Sequence, residues 1–202
     1  MANFPMISRV RFVNRYQRRY EFFDESNNVL MSVEQAAGGV ARGRLGRMFA
    51  GERDYSPVLL RFQDSARVVT FTLERRLSER HGGPGVAPIL RTANGEVVGT
   101  VFANPRLSRD DPMSGEAFKN IVQERWRLLD DRSAVLCEAE QRVVGSPRWM
   151  GVQTKKVDYS DPEGNPVARF DGKWIEFVRE VPVNLRMLVI ASPVAFDLLD
   201  GA

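Results

Sequence analysis

Residues 184–200 (NLRMLVIASPVAFDLLD) constrain the fold more than any other part of the chain. A helix on a protein surface carries one apolar stripe and one polar face. Here Leu185, Met187, Leu188, Val189, Ile190, Ala191, Val194, Ala195, Phe196, Leu198 and Leu199 cover every side. Such a helix has to be surrounded. A bilayer would need about 20 apolar residues in a row, and this run is interrupted by Arg186, Pro193 and Asp197. The sequence therefore predicts a helix enclosed by the protein's own chain.

The enclosing material is written as a repeat. Residues 20–35 (YEFFDESNNVLMSVEQ) and 126–141 (WRLLDDRSAVLCEAEQ) share D-x4-V-L-x3-E-Q. Asp64, Val69 and Glu74 keep part of that spacing. Asp161 and Asp171 keep less. Residues 89–102 have the same shape around Asn94-Gly95 without the acids. Each unit reads as a β-hairpin: an apolar strand, an Asp that favours turns by bonding its own backbone, then a second strand rich in β-formers. With a side-chain period of two, Val29, Met31 and Val33 share a face, as do Val69, Phe71 and Leu73, and Val135, Cys137 and Ala139. Glu34, Glu74, Glu140 and Asp171 recur at one register position and are expected as solvated partners of neighbouring arginines.

Five hairpins with a strand at 8–13 and another at 174–181 give about twelve strands. The predicted fold class is mainly β: about twelve antiparallel strands closed around the apolar C-terminal helix. Closure removes the sheet edges and encloses the helix. A short helix over 115–123, capped by Ser114, is expected in the connection before Trp126. The length of 202 residues fits one domain over 1–202.

Composition narrows the chemistry. There is one cysteine and one histidine, which leaves no internal disulfide and no ordinary Cys/His zinc site. His81 lies in the Gly-rich stretch SERHGGPG and reads as a surface-turn histidine. Cys137 falls on an apolar strand face and reads as a buried, inert thiol. No nucleophile elbow, phosphate-binding loop or dinucleotide fingerprint is present. The expectation is no catalytic residue, no metal and no cofactor. The N-terminus lacks an apolar signal core, and a cytoplasmic protein, peripheral at the inner membrane surface in one reading, is expected.

The net charge of +3 is mildly basic. The early arginines Arg9, Arg11, Arg15, Arg18 and Arg19 read either as a solvated first strand or as an arm for phosphates. Two connections join cations to an apolar tip: Arg42, Arg44 and Arg47 before Met48-Phe49, and Arg148, Lys155 and Lys156 around Trp149-Met150. Anionic head groups attract Lys and Arg, and aromatic tips suit a membrane interface. Arg42, Arg44, Arg47, Arg148, Lys155 and Lys156 are therefore candidate anionic-lipid or phosphate ligands, with Phe49 and Trp149 as candidate membrane contacts. The competing reading makes these ordinary solvated loops, on a scaffold whose partner is a protein. Nucleic acid is disfavoured because no aromatic row lines a strand face.

The D-x4-V hairpins, the early basic loop and the final strand running into an apolar helix resemble the tubby C-terminal-like superfamily, which includes LURP-one-related proteins and phospholipid scramblases. The stretches most similar are 20–35, 59–76 (LLRFQDSARVVTFTLERR) and 175–200 (IEFVREVPVNLRMLVIASPVAFDLLD). The resemblance spans about residues 8–199. It implies a twelve-stranded barrel around the C-terminal helix, and binding of phospholipid or phosphoinositide without catalysis. It also implies an acidic calcium segment beside the final strand. Asp171 stands there without spaced partner acids before Glu176 and Glu180, which disfavours Ca2+.

Overall fold

The computed structural model describes residues 7–15, 18–38, 57–76, 87–103, 121–144 and 154–200. Twelve antiparallel strands run in chain order around a closed barrel, and β1 closes against β12. The strands are β1 Arg9–Arg15, β2 Arg19–Phe23, β3 Val29–Gly38, β4 Val58–Asp64, β5 Val69–Arg75 and β6 Ile89–Thr92. They continue as β7 Val97–Ala103, β8 Ile121–Leu129, β9 Val135–Val144, β10 Thr154–Ser160, β11 Pro166–Phe170 and β12 Trp174–Phe177. Among the described residues one helix, α1 (Val183–Asp200), fills the lumen. The five hairpins and the enclosed helix expected from the sequence are all present.

One turn is used five times. In each, the N–H of the turn Asp donates to the carbonyl four residues on, and its own carbonyl accepts from the N–H three residues on. Its side chain accepts from the N–H four residues on. Asp24 Oδ1 takes Asn28 N at 2.8 Å, Asp64 takes Val68 N at 2.9 Å, Asp130 takes Ala134 N at 2.8 Å and Asp161 takes Asn165 N at 2.8 Å. These bonds hold the Asp24 and Asp161 carboxyls below the usual carboxylate range, the side-chain amides of Asn28 and Asn165 contributing most. In the fifth hairpin Thr92 does the same work, its Oγ1 accepting from Glu96 N at 3.2 Å. Each turn also shifts the register by one residue where its strands begin to pair. That bulge explains why Val29 is 43% exposed although it was expected on the apolar face with Met31 and Val33.

The inward face is apolar, as the alternation requires. Phe22, Met31, Val33, Leu60, Phe62, Phe71 and Leu73 are buried on the β2–β5 wall, and Phe62 stacks on Phe71 with centroids 4.2 Å apart. Gly99 of β7 lets the helix approach. A Cβ there would overlap the Leu129 carbonyl oxygen and stand 2.9 Å from Leu188 Cδ1.

The three breaks in the apolar helix each have a partner. Arg186, in the first turn, donates to the Ile7 carbonyl at 2.6 Å and lies 4.3 Å above the Phe177 ring. Burial pushes its guanidinium pKa down. Pro193 has no N–H, so the Val189 carbonyl loses its helical donor. Ser192 Oγ donates to that carbonyl at 2.8 Å and receives Tyr159 OH at 2.6 Å. Asp197 Oδ2 accepts Tyr20 OH at 2.6 Å.

Two expectations need correction. The expected helix over 115–123 ends where β8 begins, at Ile121, which pairs with Val143. Pairing with β9 overrides the local helical pattern over 121–123; 115–120 lie outside the described residues. The final strand, expected over 174–181, stops at Phe177, because the chain must leave the wall and turn into the lumen.

Candidate functional site

The barrel has two unlike ends. The five tight turns, 24–28, 64–68, 92–96, 130–134 and 161–165, all lie at one end, with the start of α1. Their residues include the eight acids Asp24, Glu25, Asp64, Glu96, Asp130, Asp131, Asp161 and Glu163, against two cations, Arg67 and Arg132. The opposite end, among the described residues, is a rim of strand ends. There β1, β3, β5, β7, β9 and β11 finish and the even-numbered strands begin. Exposed Arg15, Arg19, Lys155 and Lys156 stand on this rim, and exposed Asp171 and Lys173 lie in the β11–β12 turn. Arg15 is paired with Glu21 at 2.8 Å.

Both basic connections identified in the sequence are bounded by strands that open on this rim. Gly38 and Val58 flank the first; Val144 and Thr154 flank the second, six strands away around the barrel. Of the candidate ligands, Lys155 and Lys156 are placed, exposed, at the start of β10. Arg42, Arg44, Arg47, Phe49, Arg148 and Trp149 lie outside the described residues, as does His81. The recurring acids behave as solvated partners. Glu74 meets Arg76 at 2.8 Å and Arg91 at 3.4 Å, and Glu140 meets Arg125 at 3.0 Å and Arg142 at 3.3 Å. Asp171 caps its own turn, accepting Lys173 N and Trp174 N.

The rim has a notch. Phe170 of β11 pairs with Val157, so β10 runs three residues further, to Thr154. Arg11 of β1 pairs with Trp174, and β1 runs four residues further, to Arg15. At about 3.3 Å per residue, the β11–β12 turn sits roughly 10 Å below its neighbours. Beneath it a pocket of ≈ 300 Å³ lies between the wall and the last turns of α1. Phe12, Val157, Phe170, Pro193 and Phe196 give it apolar sides. Asn14 and Lys155 stand at the mouth, Gly172 forms the sill, and Gln141 and Asp197 contribute polar groups.

The repeat generates these positions. Eleven residues after each turn Asp come Gln35, Arg75, Gln141 and Gly172. All follow the inward phase of their strands and reach the level of the last helical turns. Arg75, 2% exposed, donates to the Leu198 carbonyl and caps the helix C-terminus. Gln35 accepts from Arg18 at 3.3 Å. Gln141 is 2% exposed, and its Oε1 is buried with no hydrogen-bond partner. Gly172 puts no side chain at the fourth position, which helps leave the pocket open. Of these, only the spacing was visible in the sequence, through the E-Q ending of two copies.

Cys137 is buried on the lumen face, and desolvation pushes its thiol up to about 12. A thiolate nucleophile is thereby disfavoured at neutral pH. Among the described residues no three His, Cys, Asp or Glu side chains come together to hold a metal ion. No helix among them is long and apolar enough to cross a membrane.

Comparison with protein-family models, with curated proteins and with solved structures finds no match to the chain. The functional reading therefore rests on the geometry and on the sequence resemblance.

Proposed function

We propose that the chain is a non-catalytic barrel of the tubby-like kind, related to LURP-one-related proteins and phospholipid scramblases, that associates with anionic phospholipid head groups through the rim opposite the five turns. The observation that carries this reading is the charge polarity of the barrel. The five turns bear eight carboxylates against Arg67 and Arg132, with Arg179 paired to Asp161 at 2.6 Å, whereas exposed Arg15, Arg19, Lys155 and Lys156 stand on the rim, and Lys173 lies beside Asp171 in the β11–β12 turn. An anionic surface attracts the rim and repels the opposite end, so the molecule approaches it end-on. The strands bounding the segments that carry Arg42, Arg44, Arg47, Phe49, Arg148 and Trp149 open on the same rim, which would add cations and apolar tips to that face. The twelve-stranded barrel around a C-terminal helix is the architecture the resemblance implies.

Each cation near such a surface contributes about 1 kcal/mol. Reversing Lys155 and Lys156 together to Glu should therefore weaken association with anionic vesicles more than tenfold, about 1.4 kcal/mol being one decade. Co-sedimentation with neutral and anionic vesicles at low and physiological salt tests the proposal. Salt-sensitive binding to the anionic set, lost in the double variant, supports it. Equal binding to both vesicle types, or none at either salt, overturns it and leaves the protein-scaffold reading.

A further inference from the structure

The pocket beneath the notch shares Lys155 with the rim, but its deeper lining has a different chemistry. A buried polar atom without a partner costs free energy, and Gln141 Oε1 is such an atom. It lines the pocket with Asp197, whose carboxylate takes Tyr20 OH on Oδ2 and retains capacity for further donors. Gln141 Oε1 and the Asp197 carboxylate thus offer acceptors, beside the donor NH2 of the same Gln141 amide. The aromatic sides come from Phe12, Phe170 and Phe196, and the Phe12 and Phe170 rings meet edge-to-face at 5.8 Å. Ring faces carry negative quadrupole density and favour cations. The volume of ≈ 300 Å³ is about twice that of a cavity that holds benzene and sits at the lower end of ligand pockets. It suits a bicyclic molecule better than a lipid chain.

We infer that this pocket binds a small organic ammonium ion with an apolar or aromatic body, its charged group donating to Asp197 and Gln141 and its body lying among Phe12, Phe170 and Phe196. Lys155, exposed at the mouth, is the one cation among the described residues lining the pocket, and it would favour a carboxylate guest instead. Tryptamine and indole-3-propionate share a ring system and differ in charge, so they separate the two outcomes.

Calorimetric titration of the whole protein with each compound is the test. Tryptamine should bind at least tenfold more tightly than indole-3-propionate. Asp197→Asn and Gln141→Met should each weaken tryptamine about tenfold, and Val157→Phe, which fills the pocket, should abolish binding. Melting temperatures identify variants that remain folded; if Asp197→Asn does not fold, the other two carry the test. Tighter binding of indole-3-propionate, no binding of tryptamine at millimolar concentration, or unchanged affinity in the folded variants overturns the inference.

Discussion

Three residues after each turn Asp or Thr the backbone crosses to positive φ: 65° at Asn27, 62° at Arg67, 87° at Gly95, 66° at Ser133 and 86° at Gly164. A side chain in this conformation costs on the order of 1 kcal/mol, and glycine avoids that cost. A Cβ added at Gly164 would meet nothing within 4 Å, so Gly164→Ala isolates the backbone term. Urea unfolding should show a loss of about 1 kcal/mol; an unchanged midpoint would mean that the turn is not left-handed there. At this scale the Asp is legible in the sequence, because its side chain bonds its own turn. Arg67 and Ser133 are not, because neither residue type signals positive φ. Nor is Thr92, because the Asp that marks the other four turns is absent from this one.

Among the elements, α1 depends on being enclosed and on having its break at Pro193 repaired. Ser192→Ala leaves the Val189 carbonyl without its side-chain donor and Tyr159 OH without its partner, and should cost about 1–3 kcal/mol. Ala195 is fully buried, so Ala195→Asp places an uncompensated charge in the lumen and should cost several kcal/mol. Thermal unfolding of both variants checks the order. An Ala195→Asp protein that melts with the parent would show that the helix is not enclosed. The enclosure is legible in the sequence because the helix is apolar on every side. The repair is not, because it joins Pro193 to Ser192 beside it and to Tyr159 on a strand 33 residues away. The start of β8 is hidden for a related reason: 115–123 has a helix-like pattern and a Ser cap, and pairing with Val143 of β9, 22 residues on, makes Ile121 extended.

For the whole molecule, the barrel follows from strand number and the alternation of apolar residues, but its two ends become distinct only once strand direction is known. Then acids scattered through the sequence gather at the turns, and Lys155 and Lys156 gather on the rim with Arg15 and Arg19. The pocket is less legible still. Gln141 looks like a solvated strand end until the register turns it inward, and the notch arises from the shortness of β11 and β12 beside β10 and β1.

The central claim is that the molecule meets an anionic surface by the rim opposite the five turns. Cys137 is buried, which leaves an introduced surface thiol free for selective labelling. A polarity-sensitive fluorophore on Ala37→Cys, exposed at the rim, and on Ser65→Cys, exposed in a turn at the opposite end, reports which end makes contact. With anionic vesicles at low salt, emission should shift to the blue for the Ala37 label and stay unchanged for the Ser65 label, and physiological salt should reduce the shift. A shift of the Ser65 label, or no shift at Ala37 while the protein pellets with the vesicles, would contradict the account.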